Sequence, residues 1–205
     1  MPDAAKTRLL LATSNAKKFK ELQELLTDLP VQCLSLRDFS KVAGVKETGR
    51  TFEENAKIKA MSYAERTGVL TLGEDSGLCC DALSGAPGVF SARFCGKFYS
   101  DDANNAKLLE EMSGVPDEKR TAYYESAIAL AEPGKLIGVV KGQVHGLITC
   151  ELRGSGGFGY DPLFFYPPYQ KTFGEVPSAM KHRVSHRGQA LLKFRGLLRD
   201  YLKAV

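Results

Sequence analysis

Two adjacent carboxylates, Glu74 and Asp75, followed by Ser76 and Gly77, stand directly behind the apolar run Val69 to Gly73. Charge at the exit of a buried strand is costly, and the chemistry that repays it is coordination of a hard divalent cation by carboxylate oxygens. Glu47, in a loop with Gly44 and Gly49, is a third acid for the same role. A salt bridge or a turn cap would use Glu74 and Asp75 equally well. Near the start, Thr13-Ser14-Asn15-Ala16-Lys17-Lys18 offers a hydroxyl, an amide, two ammonium groups and the N–H groups of a helix start, a combination suited to phosphate. The competing reading is a polar N-cap followed by solvated lysines. Gly154-Ser-Gly-Gly-Phe-Gly159 lets backbone approach a flat ligand, with Phe158 or Tyr160 placed to stack on it; a glycine-rich turn over an aromatic core is the alternative. Lys181, His186 and Arg187 add donors for an anion or a base carbonyl just before a helix start.

The elements that must carry these residues are legible in the periodicity. Arg8 to Thr13 reads as a strand, Phe19, Leu22, Leu25, Leu26 and Leu29 as a helix face, and Val31 to Leu36 as a second strand, together a βαβ unit. Thr51-Phe-Glu-Glu54 has the capping-box pattern, with Phe52, Ala56, Ala60, Tyr63 and Ala64 on one helical face that ends at Gly68. A third strand follows over Val69 to Gly73. Asp101 to Met112 reads as a helix, Thr121 to Ala131 and Lys135 to Val144 as strands around Glu132-Pro133-Gly134, and Gly146 to Leu152 as an extension of the sheet. Leu163 to Tyr166 reads as a strand after a turn at Tyr160-Asp161-Pro162. Ala190, Leu191, Phe194, Leu197, Leu198, Tyr201 and Leu202 mark a final amphipathic helix opened by Ser185-His186-Arg187. The result is one α/β domain over residues 1–205.

Several chemistries are excluded by pattern. Gly154 to Gly159 satisfies GxGxxG, but the dinucleotide motif must lead from a strand into a helix, and here a turn and a strand follow. The early loop lacks the Gly-x-x-x-x-Gly-Lys of a Walker A motif. His182 and His186 lack an HExxH frame, and no GxSxG elbow occurs. Five cysteines without CxxC spacing fit a reducing compartment and core positions. A net charge of +4 is too small to demand a nucleic-acid partner, and no apolar run reaches the roughly 18 residues of a membrane helix. The expectation is a cytoplasmic protein with a small anionic ligand and neither nucleic acid nor membrane as partner.

Taken together, Thr13 to Lys18, Glu74 to Gly77 with Ala86-Pro-Gly-Val-Phe-Ser-Ala-Arg93, Gly157-Phe-Gly-Tyr-Asp161 and Ser185-His-Arg-Gly-Gln189 resemble the inosine triphosphate pyrophosphatase family. The resemblance runs from the first strand to the last helix. It implies a mixed central sheet flanked by helices, with two lobes around a nucleotide-binding cleft. The activity it implies is hydrolysis of noncanonical purine nucleoside triphosphates (ITP, dITP, XTP) to the monophosphate and pyrophosphate, with Mg²⁺ as cofactor and a homodimer as the assembly. In this sequence Asp75 takes the place of the catalytic acid and, with Glu74 and Glu47, of the metal ligands. Thr13, Ser14, Asn15, Ala16, Lys17, Lys18, Asn55, Lys59 and Ser76 take phosphate- and substrate-contacting places. Phe158, Gly159, Tyr160, Asp161, Lys181, His186 and Arg187 take those of the base pocket. Glu74 stands where many relatives have Asp. Two other readings are a Maf-like pyrophosphatase acting on modified or pyrimidine triphosphates, and a noncatalytic nucleotide- or RNA-binding module.

Overall fold

A computed structural model describes residues 6–39, 42–96 and 100–204. Its opening is the expected βαβ unit: β1 (Thr7–Leu11), α1 (Ala16–Leu25) and β2 (Val31–Leu34), with β1 and β2 parallel and Thr7 opposite Val31. β2 stops two residues short of the expected Leu36, because Ser35 caps a short 3₁₀ turn over Leu36–Asp38, its hydroxyl accepting from the Arg37 N–H. α2 (Phe52–Thr67) starts at Thr51, whose hydroxyl accepts from the Glu54 N–H, and ends at Gly68 in the left-handed region at φ 68°. Only half of the capping box forms, since the Glu54 carboxylate accepts from the Arg50 N–H instead of that of Thr51.

The largest departure from expectation is β3, which runs from Leu70 to Cys80. The strand does not end at Gly73; Glu74, Asp75, Ser76 and Gly77 lie inside it, with Glu74 and Asp75 buried. β1 pairs with β3 only over Leu9 to Leu11 opposite Leu70 to Leu72, so the acids occupy the part of β3 beyond the last β1 residue. The cost that suggested an exit is met by lysine and asparagine partners described below.

α3 (Asp101–Glu111), β4 (Thr121–Glu132) and β5 (Lys135–Ile148) follow, then β6 (Phe164–Tyr166), β7 (Lys171–Thr172), α4 (Ser178–Val184) and α5 (His186–Ala204). β5 runs on through Gly146 to Ile148, so the expected extension forms there and stops short of Leu152; Arg120 donates to the Ile148 and Thr149 carbonyls at that point. The seven strands form one mixed sheet in the order β2-β1-β3-β4-β5-β6-β7, with β5 antiparallel to β6 and β6 antiparallel to β7.

The chain divides into two compact units, and β3, β4 and β5 each contribute residues to both. The first comprises the residues through Asp75, 127–141 and from Ala190 on. Leu9, Leu11, Leu70, Leu72, Ile128 and Leu130 of the sheet pack there with Leu22 of α1, Leu26 at its C-terminal cap, and Leu191, Phe194 and Leu198 of α5. The second comprises 76–126 and 142–189, with Leu78, Leu108, Met112, Tyr124, Tyr160, Phe164 and Phe173 in its core. Each fully buried Leu or Phe contributes about 1.5–3 kcal/mol by leaving water, which holds each unit without disulfides; the five cysteines are free. No helix among the described residues is long and apolar enough to cross a membrane.

Candidate active site

In the first unit, α2 and β3 approach so closely that a side chain between them is impossible. A Cβ on Gly73 would lie 2.5 Å from the Ala56 carbonyl oxygen and 2.5 Å from the Ala60 nitrogen. Successive strand residues face opposite sides, so Asp75 shares the α2-facing side with Gly73. Asn55 and Lys59, one helical turn apart, both reach it: Asn55 Nδ2 donates to Asp75 Oδ2 at 3.0 Å and Lys59 Nζ to Asp75 Oδ1 at 3.0 Å. Asn55 is itself fixed, because its Oδ1 accepts from the Gly49 N–H at 2.8 Å. Gly49 is required there, since a Cβ would meet Glu54 Cβ at 2.6 Å and Asn55 Oδ1 at 2.7 Å.

Lys59 Nζ also donates to the Glu74 carbonyl at 3.0 Å and pairs with Glu47 Oε2 at 3.1 Å. The pair carries opposite balances. Burial pushes the Asp75 carboxyl above the usual carboxylate range, against the pull of Lys59 and Lys18. For Lys59 burial works to lower the value, but attraction by Asp75 and Glu47 outweighs it and the ammonium is held more firmly than usual.

Glu74 faces the other side of the strand, where Lys18 Nζ lies 3.4 Å from its Oε2. The expected ligand trio of Glu47, Glu74 and Asp75 is therefore not assembled: two of the acids share Lys59, and the third pairs with Lys18. Among the described residues no group of three or more His, Cys, Asp or Glu side chains forms a metal cage. The remaining pair still fits a hard divalent cation. Lys59 Nζ marks a position where positive charge sits between two carboxylates, and Mg²⁺ typically takes one or two protein carboxylates with phosphate and water oxygens completing its shell.

The early loop is more self-contained than the sequence suggests. Asn15 Oδ1 accepts from the Lys17 N–H at 2.9 Å and the Lys18 N–H at 3.1 Å, and Thr13 Oγ1 accepts from the Asn15 N–H at 3.2 Å. The Lys17 and Lys18 amides are thus capped by the Asn15 side chain, the arrangement of the polar N-cap reading. Ser14, Asn15, Ala16 and Lys17 are exposed.

In the second unit, Lys181 Nζ donates to Asp161 Oδ2 at 2.5 Å, both side chains being buried. The same oxygen accepts from the Phe158 N–H at 2.9 Å, and a Cβ on Gly157 would lie 2.0 Å from it, so glycine makes room for this carboxylate. The half-buried Phe158 ring has Lys181 Nζ 4.8 Å and Arg187 Cζ 5.3 Å from its centroid, within cation–π range. Arg187, 1% exposed, donates to Ser76 Oγ at 3.1 Å. His186 stacks on Tyr124 at 4.6 Å with rings 10° apart. Tyr160 belongs to the core, its hydroxyl donating to the Ser91 carbonyl at 2.7 Å, which leaves Phe158 as the partly open ring. Gly159 leads into a turn and then β6, as the rejection of a dinucleotide motif requires. Lys181 lies within α4, and His186 and Arg187 open α5, whose first turn is capped by Ser185 Oγ accepting from the Gly188 N–H at 3.1 Å.

Tyr124 under His186, and Asp101 and Asn105 beneath the Phe158 loop, escape sequence reasoning. The asparagine had a signal: Asn104 and Asn105 occupy the stripe of α3 that continues through Leu108 and Met112, where polar residues are buried only with a reason.

The Ham1 family model matches residues 9–197, and the chain belongs to that family. It is 51% identical over 186 residues to a dITP/XTP pyrophosphatase of Desulforamulus reducens, covering 91% of this chain and 92% of the relative. A dITP/XTP pyrophosphatase of Geobacter sulfurreducens is 50% identical over 196 residues, 96% of each chain. Among solved structures, a HAM1 protein from Coxiella burnetii superposes with a TM-score of 0.87 at 41% identity, covering 95% of this chain and 99% of that one.

Proposed function

We propose that this protein is a Mg²⁺-dependent hydrolase that converts noncanonical purine nucleoside triphosphates, ITP, dITP and XTP, to the monophosphate and pyrophosphate. The observation that carries the reading is the buried Asp75 carboxylate with one oxygen held by Asn55 and the other by Lys59, which Glu47 shares. Relatives with half their residues identical over nearly the whole chain bear the name dITP/XTP pyrophosphatase, which supports the same activity here.

Attack of water on the α-phosphorus gathers negative charge on the phosphate oxygens and on departing pyrophosphate. Asp75 and Glu47 are the residues that would hold the cation, which supplies Lewis-acid neutralisation of that charge when bound. Asn55 holds one oxygen of the Asp75 carboxylate and Lys59 the other, which orients the group for the attacking water. Lys59 and Lys18 supply ammonium charge for the phosphates, released from Asp75, Glu47 and Glu74 as the substrate arrives. Asp75 accepts or orients the proton of the attacking water; the lift that burial gives its carboxyl suits a proton acceptor.

Base choice follows from donors. Adenine carries an amino group where hypoxanthine and xanthine carry a carbonyl oxygen, and Lys181 and Arg187 beside the Phe158 ring are donors only. Against ATP these donors meet the adenine amino group, itself a donor, in place of an accepting carbonyl, which supports rejection. The same reading includes a homodimer acting in the cytoplasm, checked by light scattering on the purified protein and by fractionation of cells.

The test is pyrophosphate release from a panel of ITP, dITP, XTP, ATP, dUTP and UTP, with and without Mg²⁺. Purine 6-oxo substrates should lead, activity should vanish on chelation, and Asp75→Asn should lose at least about a hundredfold in turnover. Preference for the pyrimidines would favour the Maf-like reading, and ligand binding without pyrophosphate release would favour a noncatalytic module.

A further inference from the structure

The segment Gly154 to Asp161 has no regular secondary structure, and Gly154, Gly157 and Gly159 all adopt positive φ, at 78°, 73° and 62°. A loop of this kind keeps one conformation only if its backbone is gripped from outside. The grip on Gly159 comes from α3. Asp101 Oδ2 accepts from the Gly159 N–H at 2.9 Å, and Asn105 Nδ2 donates to the Gly159 carbonyl at 3.0 Å. Asp101 and Asn105 are one helical turn apart, so one face of one helix holds both polar groups of a single residue.

Asn105 is buried, with 4% exposure, and its Oδ1 accepts no hydrogen bond among the described residues. A buried amide oxygen without a donor costs stability, so packing alone does not account for an asparagine here. Its neighbour Asn104 serves a different segment, its Oδ1 accepting from the Cys95 N–H and its Nδ2 donating to the Ala92 carbonyl. What Asn105 and Asp101 hold is the residue next to Phe158, whose ring lies against Lys181 and Arg187.

We infer that Asp101 and Asn105 are positioning residues for base selection: α3 fixes Gly159, Gly159 fixes the Phe158 ring, and the ring sets where the Lys181 and Arg187 donors stand. The inference rests on the proposed preference for 6-oxo purines. Both residues bond to the backbone of the loop that carries Phe158, so loosening that loop acts on recognition of the base and not on the phosphate chemistry.

The experiment measures kcat and KM for ITP and ATP with wild-type protein, Asp101→Ala, Asn105→Leu and Asn105→Gln, with thermal unfolding of each. The expected result is a KM for ITP raised about fivefold or more in Asp101→Ala and Asn105→Leu, kcat within about twofold, and a fall in the ITP-to-ATP ratio of kcat/KM. Asn105→Gln, which keeps the amide, should recover part of the ratio. Unchanged ratios in folded variants overturn the inference while leaving the proposed function intact. Loss of kcat on both nucleotides together with a lowered Tm also overturns it, as the signature of a structural role. If Asn105→Leu does not fold, the exposed Asp101 decides alone. A wild-type protein without preference for ITP over ATP sinks the proposed function itself.

Discussion

Lys59 Nζ lies 3.0 Å from Asp75 Oδ1 and 3.1 Å from Glu47 Oε2, so one ammonium from α2 ties a strand carboxylate to a loop carboxylate 28 positions earlier in the chain. Lys59 and Asp75 are both largely buried, with side chains 12% and 9% exposed. Removing one partner of such a pair leaves the other charge without compensation, which typically costs about 3–5 kcal/mol. Lys59→Ala should lower the unfolding temperature in chelator, and Mg²⁺ should raise it by more in the variant than in the wild type. A larger Mg²⁺ shift in the wild type would remove Asp75 and Glu47 as the cation's ligands.

Gly73→Ala should loosen the same cluster without touching any charged group. The added methyl meets backbone atoms of Ala56 and Ala60, so α2 must move off β3 and carry Asn55 and Lys59 away from Asp75. Overpacking of this kind costs about 1–3 kcal/mol, visible as a lower denaturant midpoint. Pyrophosphate release should fall more than tenfold in protein that remains folded, because small misplacements at a reacting centre are amplified. Full activity would mean that the α2 grip on Asp75 is dispensable.

Arg187→Ala should erode the preference for ITP over ATP by about tenfold or more while slowing ITP turnover less. The buried guanidinium donates to Ser76 Oγ and lies over the Phe158 ring, whose partly open face suits a base. Competing nucleotides in one reaction, followed by product chromatography, give the ratio directly. Equal losses on both nucleotides would refute a base-reading role.

Glu53 provides a pH test remote from the reaction. Hydrogen bonds from Lys141 and then Lys57 hold its carboxyl down to about 2, against an ordinary value of 4.5. A carboxyl lowered on folding stabilises fully above the ordinary value, and that contribution fades as pH falls from 4.5 towards 2. These ion pairs are partly exposed, so Glu53→Gln should lower Tm by less than about 3 °C at pH 7, with the difference shrinking below pH 4.5 and vanishing only as pH falls through about 2. A difference that grows on acidification contradicts the pairing.

The cysteines divide by environment. Burial raises the Cys79 thiol and pushes Cys80 up to about 12, so neither supplies thiolate near neutrality. Cys150 is exposed. Iodoacetamide at pH 8 should modify Cys150 first and reach Cys79 and Cys80 only in denaturant, as peptide mass spectrometry would record. Native labelling at Cys80 would contradict its burial.

Local rules made much of the framework legible. Alternation and helical spacing marked the βαβ opening, the Thr51 cap and the long C-terminal helix, because each depends on residues within a few positions of one another. The Glu74-Asp75 pair reads as a strand exit for a sound reason, since charge inside a sheet is costly. The residues that offset the cost are distant: Lys59 lies 16 positions from Asp75 and Lys18 lies 56 from Glu74. Glu47 and Asp75 meet at Lys59 while Glu74 pairs with Lys18, an arrangement that follows from neighbours in a strand facing opposite ways and that types and spacing alone do not reveal. α4, only seven residues long and without an apolar stripe of its own, offers too little periodicity to detect. The hold of Asp101 and Asn105 on Gly159 spans more than 50 positions and uses backbone groups, which carry no side-chain signature.

The continuity of β3 makes the identity of each acid a matter of odd and even. With Leu72 and Glu74 on one side and Gly73 and Asp75 on the other, a slip of a single position would hand the α2 lysine a glutamate and send the aspartate towards Lys18. Swapping the two acids in place, Glu74→Asp with Asp75→Glu, conserves composition and charge yet trades a short arm for a long one on each side, so arithmetic of counting, rather than chemistry of type, separates the two carboxylates.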